Sequence, residues 1–373
     1  MATLVCVAGN SLYYPAQLWP YLNWALSLQS AGCQVVWLET VEPGDDGAEL
    51  DTAVGVLSER LRGYGLQDAL SLVSSEGRPV EPEPAGSLPF ESALEAELLI
   101  DLSYLPPEAV ARFRRSVLVD LDPGEAQIWA AGGDIDMSGR DLYISIGEGV
   151  ESPDRPFPDA GLSWVYVPTP VALDAWTPAE ASPDSAYTTI SHWWYESSLE
   201  IDGDWVENSK QVAFEPFLGL PALTPARLEL ALGGLDDDRE RRRLEALGWS
   251  VRDAAEVVST PQLYHRYVLG SRGEFTAAKT PYVRLQTGWL NDRTASYLAA
   301  GKPAIVQRTI DQRHSSLPDG QGLLRFDSLA QAAAALDAVE SDYAHHARRA
   351  RQIAEEHFDG RRIATRVLEL ALG

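Results

Sequence analysis

The chain is poor in the residues that usually announce chemistry. Cys6 and Cys33 are its only cysteines in 373 residues, too few for a disulfide framework or a Cys/His zinc site. One sits in an expected strand and the other at an expected helix end, so they read as buried thiols. Lysine is as scarce: Lys210, Lys279 and Lys302 are three of 30 basic residues, the rest arginine. No apolar run reaches the roughly 18 residues needed to span a bilayer. The opening MATLVCVAGN lacks the basic stretch of a secretion signal, so a cytoplasmic protein is expected. Gly9 stands without the second and third glycines of a dinucleotide fingerprint, which excludes a Rossmann dehydrogenase.

Positive charge is also missing from one half. The net charge is −25, but residues 1–186 carry 8 basic and 29 acidic residues (−21), while residues 187–373 carry 22 and 26 (−4). So acidic a first half argues against a nucleic-acid partner. Cations that could meet a phosphate belong to the second half, and arginine suits phosphate geometry.

Length predicts two domains, and the pattern agrees. Apolar strands at Thr3–Ala8, Gln34–Leu38, Ala69–Val73, Leu98–Asp101, Ser116–Asp120, Leu142–Ile146 and Trp164–Val167 alternate with helical stretches such as Ala16–Ala31, Glu49–Gly63 and Pro107–Arg114, as in a doubly wound parallel sheet. Four prolines between Pro168 and Asp184 exclude regular structure there. A second α/β series follows, with strands in YTTISHWW from Tyr187 and at Leu228–Gly234, Trp249–Arg252, Glu274–Ala277, Ala304–Gln307 and Leu323–Phe326. The tail from Leu329 is helical, broken at Asp359 and Gly360. Within this series TGWLNDRTASYLAAGKPAIV, Thr287–Val306, reads as a loop, a helix capped by Asn291 or Asp292, an Ala-Gly stop and a buried strand. A helix start presents unpaired N–H groups and a positive dipole end, a seat for a phosphate; an ordinary cap gives the same pattern.

Two Rossmann-like domains, a linker and a helical tail describe GT-B glycosyltransferases, and the resemblance extends to sequence. SRGEFTAAKTPYVRLQTGWLNDRTASYLAAGKPAIVQRT (Ser271–Thr309) with LPDGQGLLRFDSL resembles the donor-binding half of a group of bacterial glycosyltransferase-like proteins, and YLNWALSLQSAGCQVVWLE with VLVDLDPGEAQIW resembles that group's N-terminal domain. The resemblance implies an acceptor domain over 1–170, a linker over 171–186, a donor domain over 187–350 and a final helix, 351–373, crossing back to the first domain. It implies a nucleotide-sugar donor, an acceptor of unidentified class, and no cofactor beyond that co-substrate. A sugar-nucleotide epimerase, a phosphorylase or a non-catalytic nucleotide-binding relative would share the fold. Where many such enzymes carry Arg and Lys after the second domain's first strand, this chain has His192, Trp193 and Trp194.

The diphosphate is therefore expected over Lys279, Arg293, Thr294 and the backbone from Gly288 through Trp289 and Asn291 to Asp292. Arg293→Ala is expected to cost affinity and little stability. Glu274 is placed to hold a donor hydroxyl or to pair with Arg272. For a base the candidates are His192, at a strand end but flanked by tryptophans, and Asp122, which as Asp before Pro-Gly also reads as a turn residue. Asn10 and Ser11 stand where the group carries a histidine, and Tyr13, Tyr14 and Trp19 could stack on an acceptor or wall the core. Asp120 and Asp122 in VDLDP match the Asp-x-Asp of metal-dependent GT-A enzymes, but a second Rossmann-like domain weighs against that fold, and no metal is expected.

Overall fold

The computed structural model describes residues 2–13, 18–42, 47–194, 196–235 and 237–373; Tyr14 lies outside them. Seven strands, β1 (Leu4–Gly9), β2 (Gln34–Val41), β3 (Leu70–Ser74), β4 (Leu98–Asp101), β5 (Ser116–Asp120), β6 (Leu142–Ser145) and β7 (Trp164–Tyr166), form one parallel sheet in the order β3-β2-β1-β4-β5-β6-β7. Both faces are covered, which is why the strands read as continuous apolar runs. In β1, Val5 and Val7 face a core containing Trp24, Leu28 and Trp37. Cys6 and Ala8 face another with Phe90, Ala109 and Phe113. The helix expected over Pro107–Arg114 stops at Val110.

The chain then crosses to a second domain without a helix or strand until β8 (Tyr187–His192). The connection is no solvated tether: Trp176 is fully buried, its ring 4.5 Å from Trp19 and 4.8 Å from His265. Trp19 itself donates to the Pro261 carbonyl at 2.9 Å. It is therefore a packing residue between the domains and not an acceptor platform. A hairpin follows, β9 (Ser198–Ile201) and β10 (Asp204–Glu207). Ile201 pairs with Asp204, and the two turn residues Asp202 and Gly203 both have positive φ, 54° and 83°, the type I′ geometry for which Asp-Gly is preferred. The remaining strands, β11 (Leu228–Gly233), β12 (Ser250–Asp253), β13 (Gly273–Thr276), β14 (Ala304–Gln307) and β15 (Leu323–Phe326), join β8 in a six-stranded parallel sheet, β12-β11-β8-β13-β14-β15.

The hairpin fastens the domains together. Leu199, Ile201 and Val206 are buried in one cluster with Leu118, Tyr143 and Phe157 of the first domain. Below it, backbone meets backbone: Gly149 N–H donates to the Thr287 carbonyl at 2.9 Å. Gly288 has φ +69°, and a Cβ there would lie 2.8 Å from the Glu148 nitrogen, so close approach as well as conformation calls for glycine.

The tail forms three helices, Leu329–Ser341, Tyr343–His357 and Gly360–Leu372. A second break therefore falls at Asp342, whose side chain caps the next helix through the His345 N–H at 3.2 Å. The last helix returns to the first domain and buries Ile363, Ala364 and Val367 in the core shared with Leu22 and Ala25.

Candidate functional site

In the second sheet the chain leaves β8 for β11 on one side and later returns to β13 on the other. Connections diverging from two adjacent parallel strands leave a crevice at their carboxyl ends, where ligands of open α/β sheets bind. A cavity of about 570 Å³ lies at this edge, reached by Ile190–His192, Gly233, Gly234, Asp253 and Asn291–Arg293. The helix Asp292–Ala299 begins at its wall, and Asn291 caps it by accepting from the Thr294 N–H at 2.8 Å.

Three cations from distant points in the chain come together around Lys210, and one of them, Arg293, lines the cavity. Arg293 sends Nε to Glu274 Oε1 at 2.7 Å and also donates to the Ile190 carbonyl and to Thr276 Oγ1. Lys279 Nζ stands 3.5 Å from Glu125 Oε1 of the first domain. Lys210, buried at the start of the helix Lys210–Phe214, donates to the Ala277 carbonyl at the end of β13 and lies 5.6 Å from the Trp289 ring centre. Burial, with Arg293 and Lys279 nearby, holds the Lys210 ammonium well below its usual pKa. Glu125 also accepts from Asn208 at 2.8 Å, and burial raises its pKa despite Lys279. Glu274 Oε2 is buried without a hydrogen-bond partner among the described residues.

The expected donor residues divide into two groups. Asn291, Asp292 and Arg293 line the cavity, and burial pushes Asp292 up to about 6. Thr294 bonds back to the Asn291 cap. Gly288 and Trp289 instead serve the domain interface: Gly288 abuts Glu148 and Gly149, and Trp289 Nε1 donates to the Leu121 carbonyl at 3.2 Å. Glu274 pairs with Arg293; Arg272 pairs with Glu340 at 2.8 Å, so the alternative of an Arg272–Glu274 bridge is not realised. Arg293 is only 9% exposed, which overturns the expectation that its loss leaves stability intact.

Of the base candidates, His192 is exposed at the end of β8 and lines the donor-side cavity. Asp122 accepts from Tyr282 across the interface at 2.6 Å, and its carbonyl opens the helix Glu125–Gly132 by accepting from the Glu125 and Ala126 N–H groups. Asp120, pushed up to about 6 by burial, accepts from Tyr104, Gln127, Ser145 and the Asp122 N–H. Four donors on one buried carboxylate make the Asp-x-Asp pair a structural device, with Asp120 saturated and Asp122 tied to the facing domain.

At the first sheet's carboxyl edge, Ser11 is fully buried and gives both N–H and hydroxyl to Glu39, which also accepts from Leu12 N–H and Trp37 Nε1. Ser11 thus shapes the loop after β1. Asn10 is exposed and lines a second cavity of about 480 Å³. Tyr13 lines both cavities.

Sequence reasoning missed Lys210. The signal was present: Asn208 and Ser209 precede it, Ser209 caps its helix through Val212 N–H, and the Asp-Gly turn just upstream marks the hairpin that delivers it.

No family model matches the chain, and no curated protein matches it in sequence. Solved structures do resemble it. The crystal structure of Anabaena HepE in complex with UDP-glucose aligns over 98% of both chains with a TM-score of 0.60 and 12% identity. The pneumococcal O-GlcNAc transferase GtfA in complex with UDP and GlcNAc aligns over 99% of this chain and 98% of its own, TM-score 0.58, 8% identity. An alpha-glucosyltransferase in complex with UDP and a 13-mer DNA containing a HMU base aligns over 99% of both, TM-score 0.58, 10% identity. At these identities the likeness is one of fold, and it makes the architecture that of the GT-B glycosyltransferases. Among the described residues, no helix is long and apolar enough to cross a membrane.

Proposed function

We propose that the protein is a glycosyltransferase that draws its sugar from a nucleotide-activated donor. The observation that carries this reading is the cavity at the second sheet's switch point, with Arg293 in its lining and Lys210 and Lys279 grouped with that guanidinium. The nucleoside occupies the cavity between Gly233 and the start of the Asp292–Ala299 helix, and the diphosphate lies toward the three cations. Uridine is the base to try first, because the solved structures of similar fold hold UDP. In the transfer, an acceptor hydroxyl oxygen bonds to the anomeric carbon as the bond from that carbon to the diphosphate oxygen breaks. The electron pair leaves on the nucleoside diphosphate, and the hydroxyl proton passes to a base or to the leaving group.

The cations then act as electrostatic stabilisers of the transition state, with the Lys210 ammonium favoured once the diphosphate is present, meeting charge that develops on the leaving phosphate in a partly dry site. Three of them make a divalent ion unnecessary, so turnover should persist in a chelator; activity abolished by chelation and restored by manganese would defeat that part of the reading. One observation favours a rival. Asp122 is held by Tyr282, and His192 lines the donor side, so nucleotide binding without turnover fits as well. A thermal-shift panel of nucleoside diphosphates and nucleotide sugars, followed by product analysis with and without acceptors, separates the two. Ligand at 100 times its Kd adds about 2.7 kcal/mol, and a flat panel would remove both readings.

A further inference from the structure

We propose that the cavity of the first domain takes an acceptor sugar that carries no negative charge, either neutral or amine-bearing. The inference rests on the glycosyl-transfer reading and names the class of its second substrate.

The cavity of about 480 Å³ has the size of a small-molecule site. It lies where β1, β2, β3 and β4 end, with Asn10, Thr40, Glu42, Ser75 and Ser103 contributed by the segments at those ends. Tyr13 belongs to its wall and to that of the donor-side cavity, so a molecule bound here lies next to the donor. The walls are of two kinds. Tyr104, Leu105, Pro106, Pro107 and Ile135 offer rings and aliphatic surface. Hydroxyl, amide and carboxylate groups line the cavity as well, from the strand ends and from Asp136. A pyranose is amphipathic in the same sense, with C–H faces for the first wall and hydroxyls for the second. Tyr104 is held with φ +55°, an outlier for an aromatic residue, and its hydroxyl is fixed on Asp120 at 3.1 Å. Backbone strain of this kind gathers at functional sites.

Charge selects among sugars. Among the described residues lining the cavity, the ionised side chains are Glu42 and Asp136, and none is basic. The Arg140 guanidinium, which touches the lining residues Leu105 and Asp136 through their carbonyls, is buried and engaged by Asp101 at 2.7 Å and by the Ser138 carbonyl. A phosphate or carboxylate on the acceptor would meet two carboxylates and no counter-charge within the described lining, and juxtaposed like charges suppress binding. An ammonium would be drawn in.

Calorimetric titration of the full-length protein, with UDP present, tests this with four probes: methyl glucoside, glucosamine, glucuronate and glucose 6-phosphate. The first two should bind, the last two at least about tenfold more weakly. Replacing both carboxylates, Glu42→Arg with Asp136→Arg, should reverse that order; circular dichroism and an unchanged UDP affinity show that the variant is folded. Equal or tighter binding of either anion to the unaltered protein, or no binding of any probe, overturns the proposal. A protein that binds the glucoside but no nucleoside diphosphate sinks the donor reading and the acceptor role with it; one that binds UDP but neither uncharged probe overturns this proposal and leaves the donor reading standing.

Discussion

Lys279 of the second domain and Glu125 of the first stand 3.5 Å apart, with Glu125 almost wholly buried and also bonded to Asn208. This carboxylate occupies the neighbourhood assigned to the donor diphosphate. Glu125→Gln removes a like charge from the ligand's surroundings. At an effective dielectric near 20, that repulsion is worth roughly 1–2 kcal/mol over about 10 Å, so UDP should bind about five- to thirtyfold more tightly. Stability should fall, because Lys279 loses its domain-bridging partner. Titration with UDP reads the first effect, and an affinity that stays level or drops would break the link between Glu125 and the donor site.

Lys210 is expected to behave in the opposite way. Its ammonium is buried, with the pKa held down by desolvation first and then by Arg293 and Lys279. Lys210→Met keeps the volume and removes a charge that is unfavourable until an anion meets it, so the melting temperature should hold or rise. Hydrogen bonds to charged groups are worth about 1.5–3 kcal/mol, hence UDP affinity should fall about 10- to 100-fold. A diphosphate would also raise the depressed pKa. The unaltered protein should therefore take up protons on binding UDP over the pH range between the depressed and the restored pKa, and the variant fewer, as read by calorimetry in buffers of different ionisation enthalpy. Equal uptake by both proteins would clear Lys210 of the role.

Arg293→Ala should unfold much of the second domain's site before it reports on binding. Glu274 Oε2 already lacks a partner among the described residues, and removing the guanidinium leaves a buried carboxylate uncompensated, at a cost of about 3–5 kcal/mol. The double substitution Arg293→Met with Glu274→Gln removes both charges and should restore most of the melting temperature while UDP affinity stays low. Recovery of affinity along with stability would mean that Arg293 supports the fold alone.

Much of this fold was legible because its signals are local. The seven first-domain strands follow from apolar runs spaced by helical periodicity, and the Asn291 cap follows from Asn before a helix-forming stretch. What stayed hidden was set by packing between distant segments. Gly288 and Trp289 look like a phosphate loop in sequence, yet the backbone of Glu148 and Gly149 closes on that loop from the other domain. Arg293 could have pointed to solvent; nothing local ties it to Glu274, 19 residues earlier. Asp122 carries a signal for its turn role, while its bond to Tyr282 spans 160 residues. Lys210 was obscured differently, since its hairpin interrupts the βαβ rhythm and moves the cation well beyond the end of β8.

Asp292 gives the site a pH signature. Burial raises its carboxyl to about 6 from an ordinary 3.8, only partly offset by Arg293 and by backbone N–H groups at the helix start. A carboxyl whose pKa is higher in the folded state contributes stability that is fully present below the ordinary value and lost as pH rises through the folded value. The unaltered protein should therefore lose this contribution between about pH 4 and about pH 6. Asp292→Asn has no proton to release there. The melting temperature of the unaltered protein minus that of the variant should thus decline from about pH 4 to about pH 7, with the titration of every other group cancelling in the difference. Asparagine keeps the capacity to accept from the first-turn N–H groups, so a lost cap does not confuse the comparison. A difference that is flat, or that grows with pH, would show that Asp292 is ionised at little cost and that the start of this helix is wetter than its burial implies.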